Sequence, residues 1–443
     1  MHAELTTIAD AARALRSGRL TSRGITEGCL AIIAEQDPSL NAFITVLADQ
    51  ARAQAGAADR ELAAGQDRGP LHGIPISLKD LIDLQGVPTT AASRVRVGHV
   101  ARADALVTTR LRAAGAVFIG KTNLHEFAFG TTNEDSAYGP VHHPLDADRS
   151  PGGSSGGSAV SVATGMALAS VGTDTGGSIR IPAAACGLVG LKPSTGEIPA
   201  DGVVPLSTTL DHVGPMTRTV EDARLVFDVL RGHVDTPDVL PVRGLRLGIP
   251  REYFLSLLDV EVAAAFDTAC DRLRRAGAVL DDVVIPHAVD LAPIYLHIVL
   301  SEAAAFHAHG LETRPDDYTP NVRIRLEMGR YVLAEDYARA MRGRLVLRRE
   351  VDAALVGRDA LLLPALAVPA TRLGAATVRV GTVDEPVRTV MLRLTQLFNV
   401  TGHPAITVPC GTTAAGLPVG AQLAGRIGAT GHLLDCAQAF EAC

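Results

Sequence analysis

The chain has 443 residues, 47% hydrophobic and 20% charged, with a net charge of −7. Such a composition supports a large buried core, in one large α/β domain or in two or three smaller ones. The two signs of charge interleave without a basic cluster, so no nucleic-acid partner is expected. No apolar run approaches the roughly 18–20 residues that span a bilayer. The start, MHAELTTIADAARALRSGRL, lacks a basic lead into an apolar core, so neither a membrane partner nor a signal peptide is expected. The cysteines, at 29, 186, 270, 410, 436 and 443, form no C-x-x-C pair and no cluster with histidine. No metal site, no cofactor and no disulfide framework are expected, and the expected setting is cytoplasmic.

Residues 4–68 read as helices, with Ile8, Ala11, Ala12 and Leu15, then Ile25, Cys29, Ile32 and Ile33, at helical spacing. GPLHGIPISLK (69–79) changes to a Gly/Pro-bounded apolar run, the pattern of a buried strand. A helix over 104–115 ends at Gly115, and the strand AVFIG (116–120) follows. The alternation continues with a helix at 158–165, a strand at 167–173, a strand at 245–250, a helix at 260–276 and a strand at 278–285. Residues 288–350 are charged and helical. ALLLPAL (360–366) returns to a buried strand, 386–400 suits a helix, AITVPCG and LPVGAQLAG suit two strands, and 430–441 a last helix. The fold class is α/β: one domain around a large, mixed, mostly buried sheet covered by helices on both sides. Its parts are an N-terminal helical region (1–68), a core (69–287 and 351–443) and a helical insertion (288–350).

Lysine usage is unusual. The chain holds 41 Lys and Arg, yet only Lys79, Lys121 and Lys192 are lysines. Lysine can lose its proton when desolvated and arginine effectively cannot, so a retained lysine is a candidate base. Lys79 ends the apolar run IPISL, which would carry it into a dry interior.

The block RSPGGSSGGSAVSVATG (149–165) has four readings. A flexible linker conflicts with the apolar flanks. A phosphate loop needs a Gly-Lys-Ser/Thr ending, which is missing. A G-x-S-x-G nucleophile elbow needs a strand in front, where HHPLDADRSP stands, and a late histidine such as His403 or His432. The fourth reading draws on VGTDTGGSIRIPAAACG (171–187). Gly176 and Gly177 free the backbone to turn consecutive N–H groups toward one point, an oxyanion hole, with Ser178 as nucleophile. A serine needs a base. Lys79, neutral when desolvated, supplies one, with Ser154 passing the proton between them.

These stretches resemble the amidase signature hydrolases, from about residue 5 onward. The resemblance rests on SPGGSSGGSAV, GTDTGGSIRIPAAACGLVGLKPSTG, GIPISLKD, GKTNLHEFAFG, GHPAITVPCG and GLPVGAQLAG. It implies a Ser–cis-Ser–Lys triad of Ser178, Ser154 and Lys79, with a cis peptide at Gly153–Ser154. It implies an oxyanion hole from the N–H groups of Thr175, Gly176, Gly177 and Ser178, and two-step acyl transfer. Asp174 and Arg180 would hold the turn. The family's pattern implies one domain over 1–443, a homodimer, and Phe129 and Gly130 on the acyl side of the pocket.

The insertion offers Tyr295, Ile298, Phe306, Ile324 and Met328 as the remaining lining, without a charged anchor. The expected substrate is therefore a neutral small-molecule amide, aryl or small aliphatic, with esters and carbamates (urethanes) open to the same chemistry. The alternative is the glutamine-hydrolysing A subunit of a tRNA-dependent amidotransferase. That branch resembles D-x-L-T-x-P-x-N-L-A-G-L-P where this chain has MLRLTQLFNVTGHP, so Leu392 stands in place of the acid.

Overall fold

Short apolar runs bounded by Gly and Pro form the strands of the computed structural model, which describes residues 7–443. Residues 4–6 of the expected helical region, and the start of the stretch read for a signal peptide, lie outside the described residues. The strands are β1 (Phe43–Val46), β2 (Pro75–Lys79), β3 (Val117–Thr122), β4 (Ala169–Asp174), β5 (Val189–Lys192), β6 (His212–Thr217), β7 (Arg246–Pro250), β8 (Val279–Val283), β9 (Ala360–Pro364), β10 (Thr377–Val380), β11 (Val383–Pro386), β12 (Ala405–Thr412) and β13 (Pro418–Ala424). Eleven of them make one sheet in the order β1-β3-β2-β4-β6-β5-β12-β13-β9-β7-β8, and β10 and β11 pair as a separate hairpin. The sheet is mixed: β2 is parallel to β3 and β4, β7 to β8 and β9, and the pairs of the middle are antiparallel.

Both faces are covered, as the strand periodicity of two requires. In β9, Ala360 and Leu362 enter one apolar cluster while Leu361 and Leu363 enter the other. The helix Val220–Arg231 on the first face starts where Thr219 accepts from Asp222 N–H, and Asp222 in turn accepts from the N–H groups of Ile8 and Ala9. The N-terminal helix is thereby tied to the core. The other face carries the helices Leu291–Thr313, Pro320–Gly329 and Ala334–Ala354. The chain is a single α/β domain with a large mixed central sheet.

The fold departs from the sequence expectation in three places. β1 lies inside the region read as wholly helical and pairs with β3 at the sheet's edge. The helix expected over 386–400 is two short ones, Val387–Leu392 and Gln396–Thr401. The stretch Ala288–Thr313 is long and apolar enough to cross a membrane by length and composition, yet Tyr295, Ile298, Val299 and Ala303 on it belong to the buried core.

Candidate active site

Strand alternation aims Lys79. Ile76 and Leu78 of β2 enter the apolar cluster on one face. Ser77 and Lys79 therefore point to the other, toward the helix Gly156–Ala163, where Ser77 Oγ lies 3.0 Å from Ser161 Oγ. Lys79 Nζ donates to Ser154 Oγ and to Thr173 Oγ1 on β4, both at 2.8 Å. Burial lowers its pKa to about 7, against the opposing pull of Asp211 and Asp174.

The Gly/Ser block is buried from Ser150 to Val162 and is no linker. Ser150 Oγ donates to Thr132 O at 2.6 Å. A Cβ on Gly153 would come within 2.9–3.0 Å of backbone atoms of Thr131, Thr132 and Asn133, so only glycine lets the two loops meet. The Gly153–Ser154 peptide is cis. No strand precedes the block, which removes the basis for a nucleophile elbow. The late histidines are engaged elsewhere: His403 with Thr401 and Asp352, and His432 with Cys436.

The second Gly-rich turn follows β4. Gly177 has φ +138, a region that L side chains rarely adopt. The backbone N–H groups of Thr175, Gly176, Gly177 and Ser178 find no acceptor among the described residues. Buried donors left open in a row form an anion-binding nest. Ser178 is 5% exposed, and its Oγ makes no hydrogen bond among the described residues. Thr395, between the two short helices, donates to Gly176 O at 2.6 Å.

Asp174 braces the turn from behind. It accepts from Ile179 N–H at 3.1 Å and pairs with Arg180 through Nη2 at 2.8 Å and Nε at 3.1 Å. Burial works against its ionisation, and the charge and hydrogen bonds of Arg180 outweigh it, holding the carboxyl below its usual range. Arg180 also donates to Thr395 O, Gln422 and Asn399. All its contacts are within the protein. Asp211 accepts from Thr175 Oγ1 at 2.6 Å, and burial raises its pKa to about 6. Sequence reading missed Thr173, Asp211, Thr395 and Asn399, because no short motif marks them.

The other lysines are structural. Lys121 pairs with Asp80 at 2.8 Å, fully buried, and Lys192 Nζ donates to Pro193 O at 2.8 Å.

The acyl side differs from the apolar lining expected. Tyr295 and Leu392 stand against Gly176, where an added Cβ would lie 2.5 Å from Tyr295 Oη and 3.0 Å from Leu392 Cδ2. Phe127 instead packs on the rings of His307 and Tyr318. Phe129 is buried beneath two guanidinium groups, Arg388 Cζ at 5.5 Å and Arg325 Cζ at 5.9 Å from its ring centroid. Arg325 donates to Phe129 O at 2.6 Å, and burial followed by the charge of Arg388 lowers its pKa to about 10. A Cβ on Gly130 would overlap the His125 ring. Phe306, Ile324 and Met328 are exposed and form no lining. In the helix Pro320–Gly329, Ile324 and Met328 share a face at i, i+4 spacing, and that face is the solvent side.

The Amidase family model matches residues 24–434. The chain is 40% identical, over 98% of its length and 96% of the relative's, to the A subunit of the glutamyl-tRNA(Gln) amidotransferase of Roseiflexus sp. (strain RS-1). A solved amidase superposes with a TM-score of 0.94 at 38% identity, covering 98% of this chain and 99% of that one. A structure describing a vestigial protein complex and the origins of an s-triazine catabolic enzyme superposes at 0.92, with 34% identity and 98% of each chain covered. The expectation of a small-molecule amide as partner with no nucleic acid is overturned by the first of these: a relative this similar is by name one subunit of an enzyme of glutamyl-tRNA(Gln). The chain belongs to the amidase signature family and is a carbon–nitrogen hydrolase.

Proposed function

We propose that the chain is the amide-hydrolysing subunit of an amidotransferase-type assembly and releases ammonia from the side-chain amide of glutamine. The observation that carries the chemistry is the buried Lys79 Nζ at 2.8 Å from Ser154 Oγ, beside a turn of open N–H groups that presents Ser178. The assembly and the donor are supported by the 40% identity to an amidotransferase A subunit.

In this reading Ser178 Oγ attacks the amide carbon. Its proton passes to Ser154, whose own proton goes to neutral Lys79. The oxyanion is held by the N–H groups of Thr175, Gly176, Gly177 and Ser178. The C–N bond breaks as Ser154 returns a proton to the leaving nitrogen and regains one from Lys79. Water then takes the place of ammonia and cleaves the acyl-enzyme by the same relay.

The test is complementation in an extract depleted of its own amidotransferase A subunit. Restored glutamine-dependent amidation of glutamyl-tRNA(Gln), absent with Ser178→Ala, is the expected result. Failure to restore it, with ammonia still released from another amide, would overturn the assignment of the assembly.

A second reading keeps the chemistry and changes the substrate to an acid amide that lacks an ammonium group. Leu392 favours it, since this apolar side chain stands against Gly176 where the resembling amidotransferase branch carries an acid.

A further inference from the structure

The turn 207–211 leads into β6, and one carboxylate of the helical insertion holds it from outside. Glu302 Oε2 accepts from Ser207 Oγ at 2.5 Å and from Thr209 N–H at 3.0 Å, while Oε1 accepts from Thr209 Oγ1 at 2.8 Å and from Tyr337 Oη at 2.9 Å. Thr208 Oγ1 adds a longer bond to Oε2 at 3.4 Å. Arg344, on the helix Ala334–Ala354 with Tyr337, faces the same group and donates to Thr209 O at 3.1 Å. No ion pair with Glu302 forms among the described residues, so its oxygens are spent on this turn and on one tyrosine hydroxyl. Hydrogen bonds to an ionised acceptor are roughly twice as strong as neutral ones, which makes Glu302 a firm grip on the turn.

The turn passes that grip on to the chemistry. Ser207 O accepts from Asp211 N–H at 3.0 Å, and the Asp211 carboxylate accepts in return from the N–H groups of Leu206 and Ser207 at 2.9 and 3.1 Å. Its other oxygen accepts from Thr175 Oγ1 at 2.6 Å, at the head of the oxyanion turn. Glu302 and Tyr295 stand seven residues apart on the helix Leu291–Thr313, two turns along one face. That helix therefore meets the oxyanion turn twice, directly where Tyr295 stands against Gly176, and through Asp211 where Glu302 holds Ser207 and Thr209.

We infer that Glu302 is a positioning residue for the reaction: from the helical insertion it fixes the turn 207–211, and through that turn the seat of Asp211 against Thr175. This rests on the amidase reading above, in which Lys79 is the base. The charge of Asp211 favours the charged form of Lys79. Without Glu302 the turn is free to carry Asp211 away, and the lysine then gives up its proton at lower pH. Asp174, the other carboxylate that acts on Lys79, is held by Arg180 and stays in place.

The test reads the lysine itself. Only Lys79, Lys121 and Lys192 are lysines, so carbon-13 labelling at lysine Cε gives a simple NMR spectrum, with Lys79 assigned by its loss in Lys79→Arg. Its titration is followed in the unaltered chain, in Glu302→Ala, in Asp211→Asn and in the double variant. Asp211→Asn is expected to lower the Lys79 midpoint by about 1 pH unit. Glu302→Ala should reproduce most of that shift, and Glu302→Gln, which keeps one acceptor oxygen, less of it. In the Asp211→Asn background Glu302→Ala should move the midpoint no further. A midpoint that Glu302→Ala leaves in place overturns the role. A shift that adds in full to that of Asp211→Asn also overturns it, since Glu302 would then act by its own charge across space. Where Glu302→Ala fails to fold, Ser207→Ala removes the shortest of its bonds to the turn: a lowered midpoint supports the role and an unmoved one overturns it. Ammonia release from glutamine is measured on the same samples. The expected shifts without any release leave the positioning role standing and overturn the glutamine reading.

Discussion

Lys79 reaches Ser154 across 75 residues of sequence and meets its hydroxyl at 2.8 Å with both side chains sealed from solvent. The contact makes the lysine's protonation state the control point of the site. With a pKa near 7, the neutral amine gains population as pH rises through that value. The expected kcat/KM profile climbs with pH and levels off above about 7, measured as ammonia release at saturating and limiting substrate. Lys79→Arg, which keeps its charge at every accessible pH, should lower kcat/KM by about 10²–10⁴-fold. A variant with full activity would remove lysine from the relay.

Asp211 raises the Lys79 pKa through its charge. Asp211→Asn keeps a carbonyl oxygen for the N–H groups of Leu206 and Ser207 and turns an NH2 donor toward the Thr175 hydroxyl, which can accept, while removing that charge. The lysine then loses its proton more readily, and the rising limb of the profile moves to lower pH. A limb that stays in place would show that Asp211 braces the turn without setting the charge of the base.

Arg180 is fully buried against Asp174. Arg180→Met leaves that carboxylate without its partner in a dry interior, and the expected loss is about 3–5 kcal/mol in chemical denaturation. The double variant Arg180→Met with Asp174→Asn should recover part of it, because no charge is then stranded.

Leu392→Asp places a carboxylate beside Gly176, one turn from Arg388. An ammonium group on the substrate would then find a partner. The glutamine-to-glutaramate ratio of kcat/KM should rise by about 10-fold or more. An unchanged ratio would mean that this wall does not meet the substrate's α-carbon.

The chemistry was legible in the sequence because it is carried by short glycine-rich stretches and a rare residue type. Lys79, Ser154, Ser178 and the turn 175–178 each sit in a short local pattern, and reading those patterns together narrows the four readings of the Gly/Ser block. Phe129 and Tyr295 were named from the sequence, but the two arginines beside Phe129 were not, since the fold brings Arg325 and Arg388 to its ring from separate segments. Helical periodicity marks Ile324 and Met328 as a face but does not say which way the face looks, and the apolar one here looks outward. The break in the expected helix at 386–400 was equally hidden, because Thr395 answers to Gly176 on a distant turn. β1 was lost between the helices Ser22–Leu40 and Ala48–Ala63, where four residues are too few for alternation to register.

The hairpin β10–β11 runs directly into the helix that bears Arg388 and Leu392, and neither belongs to the eleven-stranded sheet. The contact of Lys79 with Ser154 and the contact of Leu392 with Gly176 therefore hang on different parts of the fold. The sheet carries Lys79, while Leu392 follows a two-stranded ribbon in which Val383 is exposed to water. A change confined to the ribbon can therefore move Leu392 against Gly176 while the contact between Lys79 and Ser154 stays as it is.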